Sequence, residues 1–326
     1  MPICLNRLTL RPLNFRAAAV AATALAASSA SAQVGLHTMG KAAFYDQTAA
    51  DTQPVTPYTY GAYASILTDY PEDATAASLN GPGSPTVFPV TLVSNGFGAW
   101  GEFLGYYDTF ADLQTAIPNG AYTFAISGGL LGTVSDDLTL IEPMVVAPAE
   151  IPYVTGDGFD RLQNMDPTQD ITLSINGFTP DPLATNPSTS IYVYQSCGGG
   201  PSDWVISIEP SQTSFTIPAN TLLPAHEYGI AVSYINELVE PDTTFGGTGD
   251  PRQYWQASTV FLFLVGYDGC LADVNKDTIV DLVDFFDFFN DFDTGGPLAD
   301  LNGCGGVDLN DFFLFFNAFD ANDCGL

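Results

Sequence analysis

Positive charge is what this chain has least of. Seven Lys and Arg stand against 37 Asp and Glu in 326 residues, a formal net charge of −30. A field of that sign repels nucleic-acid phosphates and anionic membrane surfaces, so a nucleic-acid partner is excluded. Imidazole is nearly as scarce: His37 and His226 are the only two, and nothing in the sequence sets either beside a nucleophile. The chain has no G-x-S-x-G elbow, no H-E-x-x-H, no Walker loop and no Rossmann glycine fingerprint, which removes the enzyme classes those motifs serve. No stretch past the first 32 residues approaches the roughly 20 apolar residues of a membrane-spanning helix. Carboxyl groups, by contrast, are so abundant that the two a glycosidase needs cannot be singled out. No catalytic residue is assigned; the chain is read as no enzyme, with a glycoside hydrolase as the lesser alternative.

The few arginines are concentrated at the start. Arg7, Arg11 and Arg16 precede the apolar run Ala17–Ala27, and Ala30-Ser31-Ala32 offers a small-residue cleavage site. This is the pattern of a secretory signal peptide cut before Gln33, so the mature protein is expected to be secreted or held at the cell surface. Cleavage removes three arginines and no acid, taking the net charge from −30 to −33. Outside the C-terminal loops described below, such acidity fits solubility or adaptation to salt equally well. Cys4 leaves with the leader, and Cys197, Cys270, Cys304 and Cys324 remain. In an exported chain four cysteines suggest disulfides, with three connectivities open. A zinc site has no C-x-x-C pair to build on.

Residues 33–266 are rich in Gly, Pro, Thr, Ser and Tyr, with short alternating runs: Ile171–Ile175, Ile191–Tyr194, Val205–Ile208, Phe215–Ile217, Tyr228–Tyr234 and Val260–Val265. Period-two alternation predicts half-buried strands, and Asn176-Gly177, Thr179–Pro182 and Gly198–Pro201 carry turn chemistry. Many strands and no long helical period imply an antiparallel sandwich. Upstream, Val87–Val93, Ala121–Ile126 and Leu138–Ile141 are predicted strands, and Thr109–Ala116 a short helix. Three prolines in 142–152 predict an extended linker, and 240–254 reads as a long loop between the last two strands.

One local pattern is more specific. Leu222-Leu-Pro-Ala-His-Glu-Tyr228 resembles the L-x-P-x-T-x-Y tyrosine corner of fibronectin type III domains, with His226 in place of Thr. The resemblance covers roughly 148–266. It implies an immunoglobulin-like sandwich and no catalytic activity, with His226 a turn residue and a buried Tyr228 whose hydroxyl bonds nearby backbone.

The last sixty residues contain one unit twice. Asp273 to Asp284 runs into the phenylalanine-rich segment 285–292, and Asp300 to Asp311 into 312–319, an interval of 27 residues. Oxygen side chains at loop positions 1, 3, 5, 9 and 12, with a backbone carbonyl from position 7, suit a hard cation with ligands at about 2.3–2.6 Å. The expected calcium ligands are Asp273, Asn275, Asp277, the carbonyl of Ile279, Asp281 and Asp284 in the first loop. In the second they are Asp300, Asn302, the carbonyl of Gly306, Asp308 and Asp311. Position 5 of the second loop is Cys304, a poor calcium ligand, so two sites are expected, the second weaker. Position 6, usually Gly, is Thr278 in the first copy.

Loops that end in Asp and lack a preceding helix resemble a type I dockerin, here over roughly 269–326; Gly269-Cys270 and Cys324-Gly325 match the cysteine-bracketed variant. The resemblance implies a calcium-folded helical module that plugs a secreted protein into a cohesin-like partner, and a Cys270–Cys324 bridge. Leu282, Val283, Leu309 and Asn310 occupy the loop positions that in this family help select the partner. Leu314 and Ala318 stand where the first copy has Asp287 and Asp291, which suggests a further docking face.

The expected fold class is therefore mostly β: one or two immunoglobulin- or fibronectin III-like antiparallel sandwiches, then a small α-helical module with two calcium loop–helix repeats. The boundaries are a signal peptide at 1–32, a β-rich domain at 33–147, the sandwich at 148–266 and the docking module at 267–326. The expected function is a non-catalytic exported protein anchored in an assembly. The alternative is a carbohydrate-binding module or polysaccharide-degrading component, with a polysaccharide as partner and Trp100, Tyr106, Tyr107, Trp204 or Trp255 meeting sugar rings.

Overall fold

A computed structural model describes residues 34–141, 145–147, 150–163, 165–195, 204–223, 226–240, 250–265, 271–275, 279–296, 298–302 and 306–321. Thirteen strands are described. The first seven are β1 (Val34–Asp46), β2 (Thr59–Thr68), β3 (Ala76–Asn80), β4 (Val90–Ser94), β5 (Ala99–Tyr107), β6 (Gly120–Ser127) and β7 (Val134–Leu140). They are followed by β8 (Ile171–Ser174), β9 (Ser188–Gln195), β10 (Trp204–Ile208), β11 (Ser214–Ile217), β12 (Glu227–Val239) and β13 (Asp250–Leu264). Helix α1 (Phe110–Ala116) joins β5 to β6, α2 (Gly158–Leu162) precedes β8, and α3 (Leu282–Thr294) and α4 (Leu309–Ala321) close the chain.

Eleven strands make one sheet in the order β10-β9-β12-β13-β1-β2-β5-β4-β3-β6-β7, and β11 pairs with β8 separately. The segment from β8 to β13 is a β-sandwich. Four strands, β10-β9-β12-β13, face the β11–β8 pair, which Val154 extends through a bridge to Ile175. Alternation dictates the core: Tyr228, Ile230, Val232 and Tyr234 on β12 are buried, as are Ile191 and Val193 on β9 and Phe215 and Ile217 on β11. Residues two apart share a sheet face, so each strand gives one of its two sides to the interior.

The junction between the two β regions departs from the antiparallel expectation. β1 runs parallel to β13 over eleven paired residues, from Leu36↔Asp250 to Asp46↔Val260, and antiparallel to β2. Without β1, β13 would be an open sheet edge, the kind of edge that recruits other chains. Because β1 follows no tight hairpin from β13, turn geometry does not fix its direction. The two β regions consequently share a sheet and one continuous core that includes Met39, Ile66, Phe124, Ile230 and Phe263. The first seven strands roll so that β7 returns to β13. There Gln253, 5 % exposed, donates to the Thr139 carbonyl at 3.0 Å and accepts from the Ile141 N–H at 3.1 Å.

Four further expectations meet corrections or gaps. The predicted loop over 240–254 is cut short, since Asp250–Tyr254 already pair with Leu36–Gly40 as the start of β13. The predicted strand over 87–93 begins only at Val90. The predicted linker is not free of the body, because Val146 and Ile151 are buried in the core and Asn176 donates to the Ile151 carbonyl at 3.0 Å. The leader peptide lies outside the described residues.

Candidate functional site

The tyrosine corner forms as its residues dictate. Tyr228 is fully buried at the start of β12, and its hydroxyl accepts the Leu223 N–H at 3.0 Å. His226 is half-buried beside it, and its carbonyl accepts the Val265 N–H at 3.0 Å.

The C-terminal module repeats in space with its sequence period. In the first copy Asp284 is fully buried, and its two oxygens accept the N–H groups of Asn275 at 3.2 Å and Asp281 at 3.0 Å. In the second, Asp311 is fully buried and accepts from Asn302 at 3.0 Å and Asp308 at 2.9 Å. Asp281 and Asp308 each cap their helix, accepting at 2.7 Å from Val283 and Asn310 respectively. Position 12 of each loop is thus held by the backbone of positions 3 and 9, which draws the loop's ends together around a carboxylate.

Among the described residues neither carboxylate is paired with a cationic side chain. Burial pushes the Asp311 carboxyl above its ordinary range; the two N–H bonds oppose this, and the nearby charges of Asp300 and Asp308 add to it. A bound cation would reverse that penalty. Asp273, Asn275, Ile279, Asp281 and Asp284 of the first expected set are described, as are Asp300, Asn302, Gly306, Asp308 and Asp311 of the second. Asp277, Thr278 and Cys304 lie outside the described residues, as do Cys197, Cys270 and Cys324, and with them the expected bridge. Among the described residues no three His, Cys, Asp or Glu side chains are gathered into a metal-holding group.

The module's core is built from equivalent positions: Ala272 with Ala299, and Phe288 with Phe315, all fully buried. The two phenylalanine rings stack at 4.1 Å with an interplanar angle of 4°. Phe285, Phe292, Phe312 and Phe319 pack around them. On α3 and α4 other large apolar side chains are exposed, again in pairs: Leu282 and Leu309 at 66 % and 67 % exposed, Phe286 and Phe313 at 60 % and 56 %, Phe289 and Phe316 at 39 % and 44 %. Val283 and Asn310 are exposed beside them. Leu314 is half-buried, and Ala318 packs against the module's own core. Its counterpart Asp291 accepts the Ala299 N–H at 3.0 Å and bonds Leu298 in the turn leading to the second loop. That explains the Asp-to-Ala difference between the copies without a partner, because the first copy has a following loop to anchor at this point. The module also touches the sandwich, where the Glu227 N–H donates to the Asn302 carbonyl at 3.4 Å.

Of the aromatic residues considered for sugar contact, Trp100 and Trp255 are 8 % and 4 % exposed and belong to the core, so they meet no ligand. Trp204 and Tyr107 are half-buried, and Tyr106 is 46 % exposed. None of the described helices is long and apolar enough to cross a membrane.

No protein-family model and no curated protein matches the chain. Solved structures with distant likeness include the FN1–FN3 domains of chicken CNTN1, at 10 % identity and TM-score 0.24, over 63 % of this chain and 62 % of that one. A two-domain fibronectin type III segment of chicken tenascin gives 12 % and 0.19, over 61 % and 91 %. A DUF3823 family protein from Parabacteroides merdae gives 10 % and 0.19, with the same coverage. This chain thus spans less than two thirds of the CNTN1 segment.

Proposed function

We propose that this protein is an exported, non-catalytic β-sandwich protein held in an extracellular or cell-surface assembly by a C-terminal dockerin-like module that folds with calcium. The observation that carries this reading is the coincidence of three repeats at one interval: the acidic loops, the buried Asp284 and Asp311 with equivalent N–H donors, and the stacked Phe288 and Phe315. A buried carboxylate ringed by further carboxylates is costly without a cation and favourable with one. The donor set is all oxygen, which suits calcium over zinc or copper.

In this reading Asp273, Asn275, Asp277, Asp281, Asp284 and the Ile279 carbonyl hold one ion. Asp300, Asn302, Asp308, Asp311 and the Gly306 carbonyl hold the other more weakly. Calcium supplies the positive charge that lets each loop close and fixes the start of its helix; the chain's own part is to present the exposed apolar rows on α3 and α4. The partner is a cohesin-like protein, with Leu282, Val283, Leu309 and Asn310 at the centre of the contact and the exposed phenylalanines around them.

Immobilised mature protein tests this against its native secretome, with calcium and with chelator. A single partner retained only with calcium, and lost on Leu282→Asp combined with Leu309→Asp, is the expected result. Equal retention with and without calcium would end the reading.

A further inference from the structure

Three loops meet at one end of the first seven strands: residues 69–75 between β2 and β3, the turn 95–98 between β4 and β5, and 128–133 between β6 and β7. Backbone hydrogen bonds hold them side by side. The Thr68 N–H donates to the Gly98 carbonyl at 2.8 Å, and the Thr68 hydroxyl lies 2.8 and 2.9 Å from the carbonyls of Gly98 and Tyr70. On the other flank the N–H groups of Leu130 and Leu131 donate to the carbonyls of Glu72 and Asp73 at 3.1 and 3.0 Å. Gly98 and Gly129, both at positive φ, permit this approach: a Cβ would fall 2.7 Å from the Thr68 carbonyl oxygen in one case and 2.5 Å from that of Glu72 in the other.

Each loop displays one large apolar side chain that the core does not take in: Tyr70 is 46 %, Phe97 83 % and Leu130 70 % exposed. The turn carrying Phe97 is braced from within. Asn95 Oδ1 accepts the N–H groups of Phe97 at 2.8 Å and Ala99 at 3.2 Å, and the Ser94 hydroxyl accepts that of Gly96 at 3.0 Å. Single exposed apolar residues are ordinary on a protein surface, but three on loops bonded to one another gather at one place, and gathered apolar surface marks a contact site. The charge there is of one sign. Asp69 and Glu72 are exposed on the middle loop. The next residue, Asp73, is fully buried; one of its oxygens accepts the Tyr70 N–H at 3.0 Å and the other accepts from no group among the described residues. No Lys, Arg or His occurs from residue 42 to residue 160.

We propose that this three-loop end binds a partner protein through a segment bearing both apolar and cationic side chains, the apolar ones against Tyr70, Phe97 and Leu130 and the cations at Asp69 and Glu72. Charge selects the partner, because acids without a local cation attract a basic surface and repel an acidic one. A second copy of this chain does not fit that requirement. Of its cations past the leader, Lys41 is buried, Arg161 and Arg252 stand 3.8 and 3.6 Å from Asp157 and Glu237, and Lys276 falls within the first acidic loop of the sequence. An anionic lipid surface is repelled by the same acids. The site does not depend on the docking module, so either reading stands if the other fails.

The test is fluorescence anisotropy of a labelled peptide of alternating lysine and leucine, titrated with the full mature chain. Lysine–serine and glutamate–leucine peptides of equal length are the controls, and phosphatidylcholine vesicles are the lipid arm. The lysine–leucine peptide is expected to bind more tightly than either control. Phe97→Ser with Leu130→Ser should weaken it at least tenfold, and Asp69→Asn with Glu72→Gln severalfold, with a shallower salt dependence. Asp108→Asn with Glu209→Gln, which removes the same charge from exposed positions elsewhere, should leave it nearly unchanged. The proposal is overturned if the lysine–leucine peptide is not bound, if the lysine–serine peptide binds equally well, or if the Phe97 and Leu130 variant binds as the parent does. It is also overturned if the distant charge pair matters as much as Asp69 and Glu72, or if the vesicles take up the parent through Phe97 and Leu130, which would make this end a membrane contact.

Discussion

Lys41 is the least expected residue of the interior. It is 4 % exposed in the middle of β1, its ammonium donates to Gln114 Oε1 at 2.5 Å, and burial lowers it from 10.5 to about 8. The unfolded chain therefore binds more protons than the folded one between those values, and stability rises with pH across that window. Burial acts oppositely on tyrosines: Tyr45 is pushed up to about 12, and Tyr234 and Tyr254 are also raised. Above their ordinary value of 10 the unfolded tyrosines lose protons first, and stability falls. Urea unfolding should thus show a maximum between pH 8 and pH 10, with a gain of at most about 1 kcal/mol over pH 8. Lys41→Met should flatten that rise while leaving the fall above pH 10. A second residue-scale prediction concerns the corner: Tyr228→Phe leaves the Leu223 N–H without its acceptor and should cost about 1–3 kcal/mol in the same assay.

At the scale of elements, legibility followed periodicity. The alternating runs in β8, β9 and β11 declared themselves because each has one buried and one more open face. β1 did not: it lies mid-sheet with residues of both faces buried, and its run of Gly, Ala, His and Lys carries no alternation. Small residues there are a consequence of packing, since a Cβ on Gly40 would fall 1.9 Å from the ring of its register partner Tyr254. That pairing spans more than two hundred residues, and no local signal could reveal it. Helix α1 was legible from Thr109, which caps it by accepting the Asp112 N–H at 3.1 Å. In the C-terminal module the repeat identified the loops, whereas the division of the phenylalanines into buried and exposed sets needed the packing of α3 on α4. Because Phe288 and Phe315 fill equivalent sites, Phe288→Ala and Phe315→Ala should each cost about 3–5 kcal/mol and do so nearly equally. Calcium-saturated thermal melts of the two variants measure this, and a strong inequality would show that the copies do not share one core.

At the scale of the molecule, one sheet ties the N-terminal strands to the sandwich, while the C-terminal module keeps a core of its own. The β body should therefore unfold as a unit, and the module should respond to calcium apart from it. The direct measurement is hydrogen exchange on the full mature chain with calcium and with chelator. The account predicts that chelation strips protection from the amides of Asn275, Asp281, Asn302 and Asp308 and from α3 and α4, and leaves β1 to β13 unchanged. Identical exchange in both conditions across 271–321 would contradict it.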